Sequence, residues 1–173
     1  MQSQTRQHGF TLIEVIICMV ILSLLGAAAG YGLTGGALAF GSSADSIHTL
    51  SRLRYANERM SREIREIRRD PGTPTVYDIS AMTAGNLAFT KTDGTTVTLV
   101  STPPLVTLAY SGIAGSPVLT DQVSSFGFTY YQADGSTPAT GNGDVAFIEF
   151  ELVLTRNGNS YPQRNRVALR NQQ

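Results

Sequence analysis

Residues Phe10–Ala44 read FTLIEVIICMVILSLLGAAAGYGLTGGALAFGSSA, and the only charged side chain in these 35 residues is Glu14. The run exceeds the roughly 20 apolar residues that a membrane-spanning helix needs. At about 1.5 Å per residue it predicts a helix of roughly 50 Å against a hydrocarbon core of roughly 30 Å. Its first half, Val15 to Leu25, is strongly apolar, and its second half is rich in Gly and Ala. The first half is expected to span, and the second to emerge or pack on other helices. The short segment before it, Met1–Gly9, carries Arg6 and His8 and no acid. Positive charge ahead of a first span predicts a cytoplasmic N-terminal side, with everything after the span beyond the inner membrane. A secretory signal cut near Ala27-Ala28-Ala29 is the competing reading. It fits poorly, because the apolar run continues past that point and an acid stands at its start.

The composition excludes several classes of function. The chain of 173 residues has 13 Lys+Arg against 13 Asp+Glu, so it lacks the basic excess of an electrostatic nucleic-acid binder. His8, His48 and Cys18 are the only imidazole and thiol groups. A tetrahedral zinc site built from such ligands, needing three or four of them, is unexpected. One cysteine cannot form a disulfide within a chain. There is no G-x-S-x-G or P-loop pattern, and the pair Glu149 and Glu151 at i,i+2 is weak grounds for glycosidase chemistry. The chain is therefore expected not to be an enzyme.

Beyond the apolar run, Leu50, Leu53, Asn57, Met60, Ile64 and Ile67 recur in steps of 3 and 4, the mark of an amphipathic helix. Asn57 is its one polar member. The other face holds Arg52, Arg54, Arg59, Arg62, Arg65, Arg68 and Arg69 with Glu58, Glu63 and Glu66, and Glu58–Arg62 has the favourable i,i+4 order. This surplus suits a solvated face with ion pairs between subunits better than nucleic acid or phospholipid head groups. Asp70-Pro71-Gly72 is the expected helix stop. His48 reads as an ordinary helix-surface residue.

After Pro71 the period changes to two, predicting strands at Val76–Ile79, Leu87–Lys91, Val97–Val100, Val106–Ser111, Phe126–Gln132, Val145–Arg156 and Arg166–Arg170. Asp93-Gly94, Asp134-Gly135 and Asn157-Gly158 read as turns, since these residues tolerate positive φ. Imperfect alternation of Phe147, Phe150, Leu152 and Leu154 predicts a bulge or burial on two faces. The expected fold is α+β: a long N-terminal helix packed on an antiparallel β-rich domain. Its parts would be 1–9, 10–44, 45–70 and 71–173. Oxygen ligands around Asp134, Asn142 and Asp144 would be the place for calcium, if any is bound. Tyr130 and Tyr131 are candidates for stacking on a glycan. Loop chemistry and strand packing explain both features as well.

The residues Gly9-Phe10-Thr11-Leu12-Ile13-Glu14-Val15 resemble the processing motif of type IV prepilins and pseudopilins. The resemblance implies cleavage between Gly9 and Phe10 by a prepilin peptidase, and methylation of Phe10. It makes Met1–Gly9 a leader and Glu14 the fifth mature residue. There Glu14 would meet a neighbouring subunit's N-terminal amine and set the axial register. Pairing would relieve the cost of an acid in the membrane, about 2.5–3.5 kcal/mol at a helix centre. Gly26/Gly30 and Gly32/Gly36 are both G-x-x-x-G pairs. They suit close helix packing, or a weak, stretchable helix segment, and the sequence leaves both open. Arg54–Arg65, Val123–Tyr131 with Asp134-Gly135, and Val167–Asn171 are similar to three subunit types. These are the O-type minor pilin of the mannose-sensitive haemagglutinin pilus, the W-type minor pilin of type IV pili and the J-type minor pseudopilin of type II secretion. The implied partners are other minor and major pilins or pseudopilins, the inner membrane and its assembly platform. A membrane-anchored binding module outside the membrane is the alternative.

Overall fold

The computed structural model describes residues 11–169. They form one helix, α1 (Leu12–Arg65), and eight strands: β1 (Ile79–Met82), β2 (Asn86–Thr90), β3 (Thr96–Thr102), β4 (Leu105–Tyr110), β5 (Val118–Thr120), β6 (Val123–Tyr131), β7 (Phe147–Arg156) and β8 (Asn159–Ala168). This is the α+β, pilin-like architecture expected, a long N-terminal helix and antiparallel sheets. The chain separates into two compact units between Ala44 and Asp45. The first is helical from Leu12 onward, and no residue from Thr11 to Ser43 is buried.

In the second unit the strands form two antiparallel sheets, ordered β1-β2-β3-β4-β5 and β6-β7-β8. The part of α1 after Asp45 packs on them. Leu53, Ala56, Met60 and Ile64 join Leu87, Phe89, Val97, Leu99 and Val106 from the larger sheet. They also meet Phe128, Ile148, Phe150, Leu152 and Leu154 from the smaller one. Each fully buried large side chain contributes about 1.5–3 kcal/mol. The helical stripe is as expected except at its two ends: Leu50 is exposed, with Thr49 buried in its place and its hydroxyl on the Asp45 carbonyl, and Ile67 lies beyond the helix.

α1 stops at Arg65, five residues before the Asp-Pro-Gly stop. Glu66 and Ile67 donate to carbonyls three residues back, tightening the last turn. The next donors leave the helix altogether: Arg68 N–H bonds the Thr90 carbonyl, and Asp70 N–H that of Val76. Bridges Ile67↔Lys91 and Arg69↔Tyr77 replace helical pairing, so Ile67 is buried as an extended residue. Asp70 still makes a turn, accepting from Gly72 N–H at 2.8 Å.

The Asp93-Gly94 turn closes β2–β3, with Gly94 at φ 86°. Asn157 (φ 50°) and Gly158 (φ 79°) form the two-residue loop between Arg156 and Asn159 that joins β7 to β8. One strand, β5, escapes sequence reading, having only three residues, and two others are misplaced. β1 runs Ile79–Met82 where Val76–Ile79 is expected, because Tyr77 makes only an isolated bridge to Arg69. β8 starts at Asn159 rather than Arg166, because Pro162 and the polar run around it hide a strand that has a neighbour on one side only. β7 pairs with β8 without interruption over ten residue pairs, and Ile148, Phe150, Leu152 and Leu154 form one core face. The bulge lies in β6 instead, between Val123 and Ser125.

Candidate functional site

The expected cleavage pair, Gly9 and Phe10, lies outside the described residues. Glu14 lies in the first turn of α1, its N–H bonded to the Thr11 carbonyl at 3.1 Å. The helix N-terminus carries partial positive charge, so an acid there favours the helix. The residues after it leave Ile13, Ile16, Ile17, Val20, Leu24 and their neighbours exposed. A contiguous apolar surface of this kind is not stable in water. α1 is long and apolar enough to cross a membrane. A Cβ added at Gly26, Gly30, Gly32 or Gly36 would meet no atom within 4 Å. The smallness of these residues therefore serves no contact within the described chain. Cys18 is exposed on the same segment, not enclosed by the fold.

In the second unit, Glu63 of α1 is only 2% exposed. It accepts from Tyr110 Oη at 3.0 Å and pairs with Arg59 at 3.1 Å and Lys91 Nζ at 3.2 Å. Lys91 also reaches Glu66 at 2.7 Å. The hydrogen bond to Glu66 raises the Lys91 ammonium against the opposing effect of burial, and Glu63 adds to the rise. The helix face that composition suggests is merely solvated thus contains a bolt from α1 to β4 and to Lys91, just after β2. On the opposite flank, Arg156 Nη2 and Asn157 Nδ2 both donate to Asp45, at 2.9 and 3.0 Å, while Ser46 Oγ and Tyr161 Oη are hydrogen-bonded at 2.9 Å. The tip of the β7–β8 hairpin is so fastened to the start of this unit.

The loop acids work on their own loops. Asp134 accepts from the N–H groups of Ser136 and Thr137 and from the Thr137 hydroxyl; these bonds, the hydroxyl's first, hold its carboxyl well below the usual carboxylate range. Asp144 accepts from Gly141 N–H, from the N–H and hydroxyl of Thr140, and from Gln132 Nε2. Asn142 Nδ2 donates to the Tyr77 carbonyl. No group of three or more His, Cys, Asp or Glu side chains placed to hold a metal occurs among the described residues.

Tyr130 points into the core, its hydroxyl donating to the Thr83 carbonyl at 2.8 Å, so it offers no face to a sugar. Tyr131 is covered by the Arg166 guanidinium, 4.4 Å from its ring centre. Glu149 is buried on the outer face of β7 between Arg164 and Arg166, whereas Glu151 is exposed. Burial alone would raise the Glu149 carboxyl, but its bonds to the two arginines outweigh this and hold it low. An acid held ionised between two arginines is poorly suited to donate a proton. His48 is exposed, as expected.

Sequence reasoning missed Asn165, Tyr110 and the burial of Glu63. The one available signal was Asn57, polar within an apolar stripe. Residues 4–30 match the model of the prokaryotic N-terminal methylation motif. No curated protein matches the chain. The motif implies processing by a prepilin peptidase and assembly with other pilins, and the helix that follows it is consistent with membrane anchoring. That motif, with the exposed apolar helix after it and the α+β unit, supports a relation of the chain to type IV prepilin-like proteins.

Proposed function

We propose that the chain is a minor pilin, a structural subunit that primes or caps a type IV pilus-like filament and has no enzymatic role. The carrying observation is the methylation motif at residues 4–30, which leads into a helix segment with every residue exposed from Thr11 to Ser43. In this reading residues 1–9 form a cytoplasmic leader, and cleavage falls between Gly9 and Phe10. Phe10 becomes the methylated N-terminus. The helix first anchors the subunit in the inner membrane, with the residues after 44 on the periplasmic side. It then transfers into the filament, where lipid is exchanged for the helices of neighbouring subunits.

Glu14 gives the transfer its register. An acid near the membrane interface is tolerable alone, but in a packed helix bundle it needs a positive partner. The new N-terminal amine of a neighbour supplies one at a single axial stagger. A minor role near the tip is supported by the loose likeness to O- and W-type subunits and by the presence of one cysteine, which precludes a disulfide within the chain. The J-type minor pseudopilin of type II secretion, to which the same segments are similar, is one alternative, and a membrane-anchored periplasmic binding module is the other.

The test is the intact mass of the protein purified from membranes of cells with and without the prepilin peptidase. The expected product lacks Met1–Gly9 and carries one added methyl group, only when the peptidase is present. A full-length product in both strains, or one cut near Ala29, overturns the reading.

A further inference from the structure

The exposed flank of α1 after Asp45, with Arg68 and Arg69 just beyond its end, carries chemistry that neither the core nor the proposed assembly helix uses. Arg52 pairs with Asp121 at 2.6 Å, Arg59 with Glu63, and Arg68 with Asp78 at 2.8 Å. Arg69 lies over the Tyr77 ring. Arg54, Arg62 and Arg65 are exposed and take part in none of the ion pairs formed among the described residues. With Glu58 they are spaced 4, 4 and 3 residues apart, which sets them along one helix face. Three guanidinium groups stand there against one carboxylate.

Tyr55 projects beside this row, 61% exposed. Three hollows adjoin it. One, of about 250 Å³, is walled by Tyr55, Arg59, Leu108, Tyr110, Pro117 and Leu119. The second, of about 210 Å³, runs from Tyr55 and Val118 to Arg52 and Asp121. The third, again about 250 Å³, lies between Tyr55, Glu58, Arg59 and Arg62. Each is smaller than the roughly 300–1,000 Å³ of a small-molecule site, and each suits a single side chain. Val118 is an apolar residue left 53% exposed at the rim.

We infer that this flank docks an acidic polypeptide segment of another protein, with one apolar side chain in the hollow beside Tyr55 and carboxylates on Arg54, Arg62 and Arg65. Tyrosine and arginine are the residue types that concentrate binding energy at protein interfaces. A guanidinium also takes a carboxylate through two parallel bonds. A nucleic acid fits less well. Its regularly spaced phosphates would meet Glu58 and Asp121, and one tyrosine offers a single stacking platform where single-strand binders use several. The inference does not depend on the filament reading, since an anchored binding module would present the same flank.

The experiment uses the full chain in detergent micelles and three labelled probes. These are the peptide Glu-Asp-Leu-Phe-Glu-Asp, its counterpart with every acid replaced by lysine, and a short single-stranded DNA. The acidic peptide is expected to bind more tightly than either of the others, and more weakly as salt is raised. Tyr55→Ala alone, and Arg54→Ala with Arg62→Ala and Arg65→Ala, should each weaken it by about tenfold or more. Unchanged thermal melting of these exposed-site variants would show that the fold is kept. The inference is overturned if the acidic peptide fails to bind at millimolar concentration, if the variants bind it equally, or if DNA displaces it.

Discussion

Asn165 of β8 donates through Nδ2 to Asn57 Oδ1 of α1 at 2.8 Å, and also to Ser61 Oγ at 2.8 Å. Its own Oδ1 accepts the Arg166 N–H at 2.9 Å. One side chain thus ties the helix to the small sheet and satisfies a donor beside it in a strand at the sheet edge. Asn57 is 6% exposed, and its Nδ2 has no hydrogen-bond partner among the described residues, so this buried side chain is incompletely satisfied. Asn57→Leu should destabilise the unit by about 1–3 kcal/mol, by removing an acceptor from Asn165. Asn57→Leu with Asn165→Leu should recover most of that loss, because no buried amide is then stranded. Denaturant melts of the two variants check this, and an additive double variant would disprove the coupling.

Glu63 offers the opposite case, a buried charge with three partners. Glu63→Ala should cost about 3 kcal/mol, the lower end of the range for breaking a buried pair. The lower end applies because Lys91 keeps Glu66 at 2.7 Å and the Arg59 side chain is 30% exposed. Glu58→Ala, on the same helix but exposed, should change stability by less than about 0.5 kcal/mol. Thermal melting of the two variants side by side separates the buried bolt from the solvated face.

Three tyrosines and one lysine in this unit have folded pKa values above their ordinary ones, all acting in one direction on alkaline stability. Burial raises Tyr130; burial raises Tyr77 against the pull of Arg69; and burial raises Tyr110, helped by Glu63 and opposed by Arg59. Lys91 is raised first by its bond to Glu66. The folded state therefore keeps protons that the unfolded chain releases around the ordinary values of 10.0 for tyrosine and 10.5 for lysine. Their stabilisation is complete below about pH 10 and falls as pH climbs through the folded values. Tyr130→Phe should lose about 1 kcal/mol at neutral pH with the bond to Thr83, yet decline less steeply above about pH 10. Melting temperatures across that range check the sign, and an unchanged alkaline slope would disprove it.

The division into an apolar helix, an amphipathic continuation and a β-rich remainder was legible because each has its own periodicity, and Asp93-Gly94 and Asn157-Gly158 marked hairpins through positive φ. What stayed hidden depends on partners far along the chain. The helix ends at Arg65 because Thr90 and Val76 offer carbonyls to the next donors, a fact that no window around Asp70 contains. Glu63 reads as an acid of a solvated face, and Glu149 as one of a pair with Glu151, until Lys91, Tyr110, Arg164 and Arg166 are brought around them. The first part of β8, before Arg166, was hidden because its exposed positions are polar and Pro162 mimics a loop. At the N-terminal motif the position is reversed: Glu14 and the glycines stand out in the sequence, but the described residues hold no partner against which to read them.

Glu14→Ala should leave the helix and its membrane insertion intact, since it removes an acid from an otherwise apolar segment. It should also leave peptidase processing in place, because cleavage falls five residues earlier in the proposed reading. Incorporation into filaments should fall sharply, as the neighbour's amine loses its counter-charge. Fractionation of membrane and sheared-filament pools measures both at once. Wild-type incorporation of the variant would remove the register role from Glu14.

The glycines allow the two readings of the upper helix to be told apart at Gly30. A Cβ there meets nothing within 4 Å in the chain, so neither alanine nor leucine should disturb the monomer. Alanine favours helix over glycine by about 0.8–1.0 kcal/mol while adding one methyl group. If Gly30 serves a stretch of helix that must loosen in the filament, Gly30→Ala alone should impair assembly, and Gly30→Leu should do so to a similar degree. If it serves close approach of a second helix, Gly30→Ala should be tolerated and Gly30→Leu should block incorporation, because only the longer side chain forces the backbones apart. Close packing is the expected outcome, since Gly26 and Gly30 are one helical turn apart on one face, as are Gly32 and Gly36. Equal filament yields for Gly30→Ala and wild type, with loss for Gly30→Leu, would establish it. A marked loss for Gly30→Ala would assign the segment to unwinding instead.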